Sequence, residues 1–203
     1  MDITNENINN LISDCWKSVQ EKVEAGDPLS SEKTLCFLFA MALFSKVGGK
    51  LTIDFENQCY EDVQGTSKYL DLLFYTDKNF KVAIEFKLPQ RSKNGSSNQT
   101  QTRELVYRDL ARLNHLKTSP LKVSVGYFLM AINEDAYLNK GSYKKVPDYV
   151  IYEGHSVNES NILSVDGLSL SGMTFKFGWQ NIHNTGTKNI KTGDYAWLTP
   201  IRV

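Results

Sequence analysis

Apolar residues at the start of the chain recur at helical spacing. Over residues 5–24, Ile8, Leu11, Ile12, Cys15, Trp16, Val19 and Val23 are separated by polar positions, which predicts an amphipathic helix broken at Gly26-Asp27-Pro28. A second helix is expected from Ser30-Ser31, where a serine side chain can take up a free first-turn amide, to about Val47 and the Gly48-Gly49 stop. Its stretch Leu35-Cys36-Phe37-Leu38-Phe39-Ala40-Met41 is apolar on every side, the pattern of a helix buried against a sheet. The period then shortens to that of strands. Residues 50–56 alternate around Leu51, Ile53 and Phe55, residues 69–76 read YLDLLFYT, and residues 81–88 read KVAIEFKL. The short Asp77-Lys78-Asn79 turn predicts that the last two form a hairpin.

Residues 89–101 carry no apolar side chain and read as a mobile loop. Leu105, Val106, Leu110, Leu113 and Leu116 predict a helix over 103–117, and VSVGYFLMAI at 123–132 predicts a fully buried strand. Further strands are expected over 173–179 and 195–201. No repeat or linker divides the chain, so residues 1–203 are expected to form one mixed α/β domain.

Lysine plus arginine equal aspartate plus glutamate at 23 each. A protein that coats nucleic acid without selection would be strongly basic, so any such role must rest on a local basic surface. The surplus lies between Lys87 and Lys122, where eight cations face only Glu104 and Asp109. Arg91, Lys93, Arg103, Arg108 and Arg112 are the candidate phosphate contacts. The competing reading is a solvated helix face laced with ion pairs.

Three cysteines without a CxxC pair suit a reducing, cytoplasmic setting. The opening MDITNENINN lacks the plan of a secretory signal, and the apolar run 35–44 falls short of the roughly 18 residues of a membrane span, so no membrane partner is expected. His115, His155 and His183 have no metal-ligand spacing, and no phosphate-loop or GxSxG motif occurs. Trp16, Trp179 and Trp197 are expected in the core.

The candidate chemistry sits on the hairpin. Side chains two apart on a strand share a face, so Glu85 and Lys87 lie opposite the apolar face of Val82, Ile84, Phe86 and Leu88. Asp71 interrupts an otherwise apolar strand, and strand pairing would set it beside them. Two carboxylates suit Mg²⁺, with Mn²⁺ as a substitute, and the carbonyl of Phe86 is a further candidate ligand. Such a cluster suits phosphodiester hydrolysis, with Lys87 as base or charge stabiliser. The competing reading is a cross-strand ion pair with no catalytic role.

Asp71 followed by Glu85-Phe86-Lys87 resembles the D-x(n)-E-x-K signature of the PD-(D/E)XK superfamily of restriction-endonuclease-like nucleases. Residues 107–113 (YRDLARL) and 126–129 (GYFL) are similar to uncharacterised bacterial members. Leu70 stands where the family often has proline.

The resemblance implies an αβββαβ core over about residues 28–133, with a mixed central sheet flanked by helices. Extra C-terminal strands over about 134–203 would form a family-specific elaboration. It also implies Asp71, Glu85, Lys87 and Glu32 as the catalytic set, Glu32 matching a helical glutamate of some branches; Glu56 is an alternative fourth acid. The function implied is a Mg²⁺-dependent endonuclease acting on nucleic acid, double-stranded DNA before RNA, with a homodimer suited to cutting both strands. A noncatalytic nucleic-acid-binding or protein-interaction module on the same fold is the alternative.

Overall fold

A computed structural model describes residues 2–63, 68–90, 98–143, 149–158, 164–165, 167–185, 187–190 and 195–203. The helices α1 (Ile8–Glu24) and α2 (Glu32–Val47) precede three strands, β1 (Thr52–Gln58), β2 (Tyr69–Tyr75) and β3 (Val82–Lys87). Then come α3 (Gln99–Leu116) and β4 (Val125–Ile132). Ser31 caps α2 by accepting from the Thr34 amide at 3.1 Å.

The sheet is mixed. β1–β2 and β2–β3 pair antiparallel and β3–β4 pair parallel, which follows because α3 carries the chain back across the sheet between them. Ala196–Leu198 and Ile201–Arg202 both add to β4, and Trp179–Gln180 pairs with Ala196–Leu198.

Strand alternation divides the apolar residues between two layers. Leu72, Phe74, Val82, Ile84, Phe86 and Leu129 face α1 and α2, whereas Leu73, Ala83, Phe128 and Met130 face α3. Trp16 of α1 donates to the Leu198 carbonyl at 2.8 Å and meets Trp197 edge-on at 5.2 Å, joining the first helix to the last strands. All three tryptophans are buried, as expected. Residues beyond 134, including Ile151, Phe175 and Phe177, complete the layer around α3, and Tyr107 of that helix donates to the Val150 carbonyl at 2.7 Å.

Two small residues meet beneath α3. Ala83 pairs with Gly126, and a Cβ on Gly126 would come within 3.1 Å of the Leu113 Cβ. Gly126→Val is therefore expected to destabilise the protein by about 1–3 kcal/mol through overpacking. The measurement is urea unfolding of both proteins; equal midpoints would mean that α3 is free to move off the sheet.

Four local expectations differ from the structure. Gln99 to Gln101, within the stretch read as a loop, form the first turn of α3, which Asn98 caps by accepting from the Gln101 amide. α2 is not buried all round: Phe37, Met41 and Phe44 are exposed. The sheet ends at the edge strand β1, and among the described residues no further strand extends it past that side of the helix. The strand expected over 173–179 splits into Phe175–Lys176 and Trp179–Gln180, which pair with different partners. The last strand breaks at Thr199-Pro200, since proline has no amide hydrogen for a sheet ladder.

Candidate active site

Asp71, Glu85 and Lys87 converge where β2 and β3 part. The register Leu72↔Ile84 and Leu73↔Ala83, carried one step further, sets Asp71 opposite Glu85, on the face covered by α3. Beyond that point, among the described residues, β3 has no β-strand partner on its β2 side. Carboxylates take the exposed amides instead: Phe86 N–H donates to Asp71 Oδ2 at 2.7 Å, and Leu88 N–H donates to Glu32 Oε2 at 3.0 Å. A strand residue turns its amide and carbonyl to the same edge, so the Phe86 carbonyl faces the Asp71 side, while its ring packs against Phe39 in the opposite layer.

Glu32, from the first turn of α2, reaches round this opening to lie 3.6 Å from Lys87 Nζ. Glu56, the alternative fourth acid, is exposed and paired with Lys33 at 2.8 Å. Glu32 is the glutamate that joins the cluster.

α3 closes the site from the other side. Asp109 Oδ2 lies 3.0 Å from Lys87 Nζ, and its Oδ1 lies 3.4 Å from Arg112 Nη1. Arg112 also donates to the Tyr69 carbonyl at 3.0 Å, stacks over the Tyr60 ring at 3.8 Å and stands 3.9 Å from Glu85 Oε1. Tyr60 donates its hydroxyl to the same Glu85 oxygen at 2.9 Å. Glu85 is thus held from both sides.

The candidate phosphate contacts are differently disposed from the expectation. Arg112 and Arg103, expected as phosphate contacts on an accessible basic surface, are only 4% and 5% exposed. The physical reason is that α3 is buried over a broad face: Val106, Leu110 and Leu113 lie along its middle, and the two arginines, nine residues apart, lie at its opposite margins. Arg103 donates to the Gln99 carbonyl and to Thr100 Oγ1 within its own helix. Arg108 is partly exposed, and Arg91 and Lys93 lie outside the described residues.

Asp109 and Tyr60 were not among the sequence candidates. Asp109 had a signal, since a carboxylate at the i+3 position from Val106 lies within the apolar arc of its helix. Tyr60 had none, because its position follows β1 and depends on how the loop folds back over the sheet.

The electrostatics of the cluster are those of a site short of positive charge. Glu32, Asp71, Glu85 and Asp109 face Lys87 and Arg112, two more acids than bases among the described residues. Burial, with Asp109 and Asp71 beside it, pushes the Glu85 carboxyl well above its ordinary value. Burial also raises Asp71, which lies within hydrogen-bonding reach of Glu85, and Glu32. For Lys87 burial acts against the charge, but Asp109 and Glu32 outweigh it and hold the ammonium above the ordinary lysine range.

These residues fit a divalent cation. Neighbouring carboxyls that repel each other's ionisation are relieved by one, and hard cations take a few carboxylate or carbonyl oxygens together with waters. Asp71, Glu85 and the Phe86 carbonyl are the donors the structure offers. Among the described residues, no three acidic, cysteine or histidine side chains form a ready-made metal cage, so carbonyl and water ligands would complete the shell. No helix of the described residues is long and apolar enough to cross a membrane. No protein-family model matches the chain, and neither does a curated protein or a solved structure.

Proposed function

We propose that this protein is a metal-dependent nuclease, hydrolysing phosphodiester bonds of nucleic acid at a centre formed by Asp71, Glu85 and Lys87. The observation that carries the reading is the apposition of the part-buried Asp71 and the buried Glu85 carboxyls, both pushed up by burial, with the Lys87 ammonium held by Asp109 and Glu32 on the same strand face. The order α2-β1-β2-β3-α3-β4 supports placing that centre on a restriction-endonuclease-like αβββαβ core. DNA is the favoured substrate on the strength of the resemblance.

Asp71, Glu85 and the Phe86 carbonyl would hold Mg²⁺ or Mn²⁺. When bound, the cation would supply Lewis-acid polarisation of the scissile phosphate and a bound water of lowered pKa. The chain's own groups divide the rest of the work. Lys87 remains protonated between Asp109 and Glu32, so its role is to donate hydrogen bonds and offset the charge that develops on phosphate oxygens, not to accept a proton. Asp109 and Glu32 fix the position of that ammonium. Tyr60 and Arg112 fix the Glu85 carboxylate.

The test is cleavage of plasmid, linear duplex, single-stranded DNA and RNA with Mg²⁺ or Mn²⁺, beside Lys87→Ala and an EDTA control. Cutting that disappears in both controls is the expected result. No cutting of any substrate by folded wild type, with no thermal stabilisation by Mg²⁺ or Mn²⁺, would leave a structural ion cluster instead.

A pH dependence follows from the raised carboxyls. Their folded-state pKa values exceed the unfolded ones, so the metal-free protein is favoured below the ordinary carboxylate range, about pH 4, and loses that contribution as pH rises through the raised values. A cation requires the ionised forms. Mg²⁺ stabilisation is therefore expected to grow over the same upward pH window, with protons released on binding. Melting with and without Mg²⁺ across pH measures this; a shift independent of pH would mean that the metal binds elsewhere.

A further inference from the structure

Beside the carboxylate cluster lies a cavity of about 520 Å³ between α2 and β1. Glu32 and Asp71 are part of its lining, so it borders the candidate centre. Its apolar surface comes from Phe37 of α2 and Phe55 of β1, 57% and 46% exposed, and Lys33 and Glu56 pair across the same lining. The volume is that of a small-ligand pocket. An isolated exposed phenylalanine is unremarkable on a protein surface. Here two such rings from different elements line one cavity whose lining also includes Asp71, one of the candidate metal ligands.

Building on the nuclease reading, we infer that this cavity receives an unstacked nucleobase of the substrate, next to the phosphate to be cut. The occupant must be joined to a phosphodiester at Asp71 and must present a flat apolar face, and a nucleobase meets both conditions. A base held by stacking on phenylalanine has left its own helix, so the preferred substrate is a single strand or a duplex with a frayed or extruded base. Stacking is tolerant of base identity, and the cavity therefore selects for unpaired strand more than for sequence.

The experiment compares binding of a fluorescein-labelled short oligothymidylate with that of an abasic backbone of the same length, in Mg²⁺ and in EDTA. The proteins are wild type, Phe37→Ala, Phe55→Ala and Phe37→Trp, alongside cleavage of single-stranded and blunt duplex DNA. Wild type is expected to prefer the base-bearing strand by about ten-fold or more, the size of one stacking interaction. Each alanine variant should lose most of that preference and the matching part of kcat/KM on single strands, and Phe37→Trp should retain both.

Equal affinity of wild type for the two backbones, or a preference unchanged in both alanine variants, would overturn the pocket. Mg²⁺-dependent cleavage that is lost in Lys87→Ala would survive that outcome and leave the nuclease reading standing. A base preference that depends on Phe37 and Phe55 without cleavage of any substrate would support the pocket and remove the catalytic reading.

Discussion

Glu85→Gln is expected to lower metal-dependent cleavage by about a thousand-fold, the upper range for removing one electrostatic group from a catalytic centre, while making the metal-free protein more stable. The two effects have one cause. Glu85 is fully buried against Asp71 and Asp109, and Arg112 at 3.9 Å compensates only part of its charge. Glutamine keeps the carbonyl that accepts from Tyr60 and removes the charge.

The stability gain has a defined pH sign. The wild-type carboxyl, raised above its unfolded value, loses its stabilising contribution as pH rises through the folded value, whereas glutamine does not titrate. The difference in melting temperature should therefore be smallest near pH 4, the ordinary carboxylate range, and widen upward. Mg²⁺ should no longer stabilise the variant. Asp71→Asn is expected to follow the same pattern, with its amide oxygen still able to accept from the Phe86 amide. Such a trade of stability for charge marks a functional centre. A Glu85→Gln protein that is less stable at neutral pH and still cuts would make the cluster an ordinary structural network.

Arg112→Ala is expected to act in the opposite direction, costing about 3–5 kcal/mol, the range for breaking a buried ion pair by removing one member. For a chain of this size that is a fall of about 6–20 °C in Tm. The guanidinium contacts Asp109, Glu85, the Tyr60 ring and the Tyr69 carbonyl, and alanine leaves two buried carboxylates less compensated. Arg112→Lys should recover only part of the loss, because an ammonium lacks the planar fork and the ring stack. Lowering the pH neutralises those carboxyls, so the gap from wild type should narrow in acid. Thermal melting of the three proteins across pH is the measurement. A loss below 1 kcal/mol, the range of exposed pairs, would mean that Arg112 behaves as a surface side chain.

The two kinds of residue have different visibility in the sequence. Asp71, Glu85 and Lys87 could be assigned to one sheet face because strand periodicity is local, and the short connection of residues 76–81 leaves β2 and β3 few ways to pair. The observed register continues to the Asp71–Glu85 apposition that the hairpin predicted. The helices α1, α2 and α3 and the buried strand β4 were likewise legible, since their apolar spacing is written into short windows.

The environment of the site was not legible in the same way. Arg112 reads from sequence as one of several cations on a polar helix, and only the packing of α3 over Ala83 and Gly126 turns it inward with Asp109. Tyr60 reaches Glu85 across 25 positions of chain, and Glu32 reaches the Leu88 amide across 56. The apolar α2 reads as buried, yet Phe37, Met41 and Phe44 on its outer face are exposed, on the side where β1 ends the sheet among the described residues.

The sequence by itself determined the three helices and the first four strands, the faces of those strands and the three residues of the candidate centre, because each depends on neighbours within a turn or a hairpin. The tertiary structure decided which charges surround those residues, which of them are buried and where an aromatic cavity opens beside them. Those properties arise from contacts between distant segments, which no local period encodes.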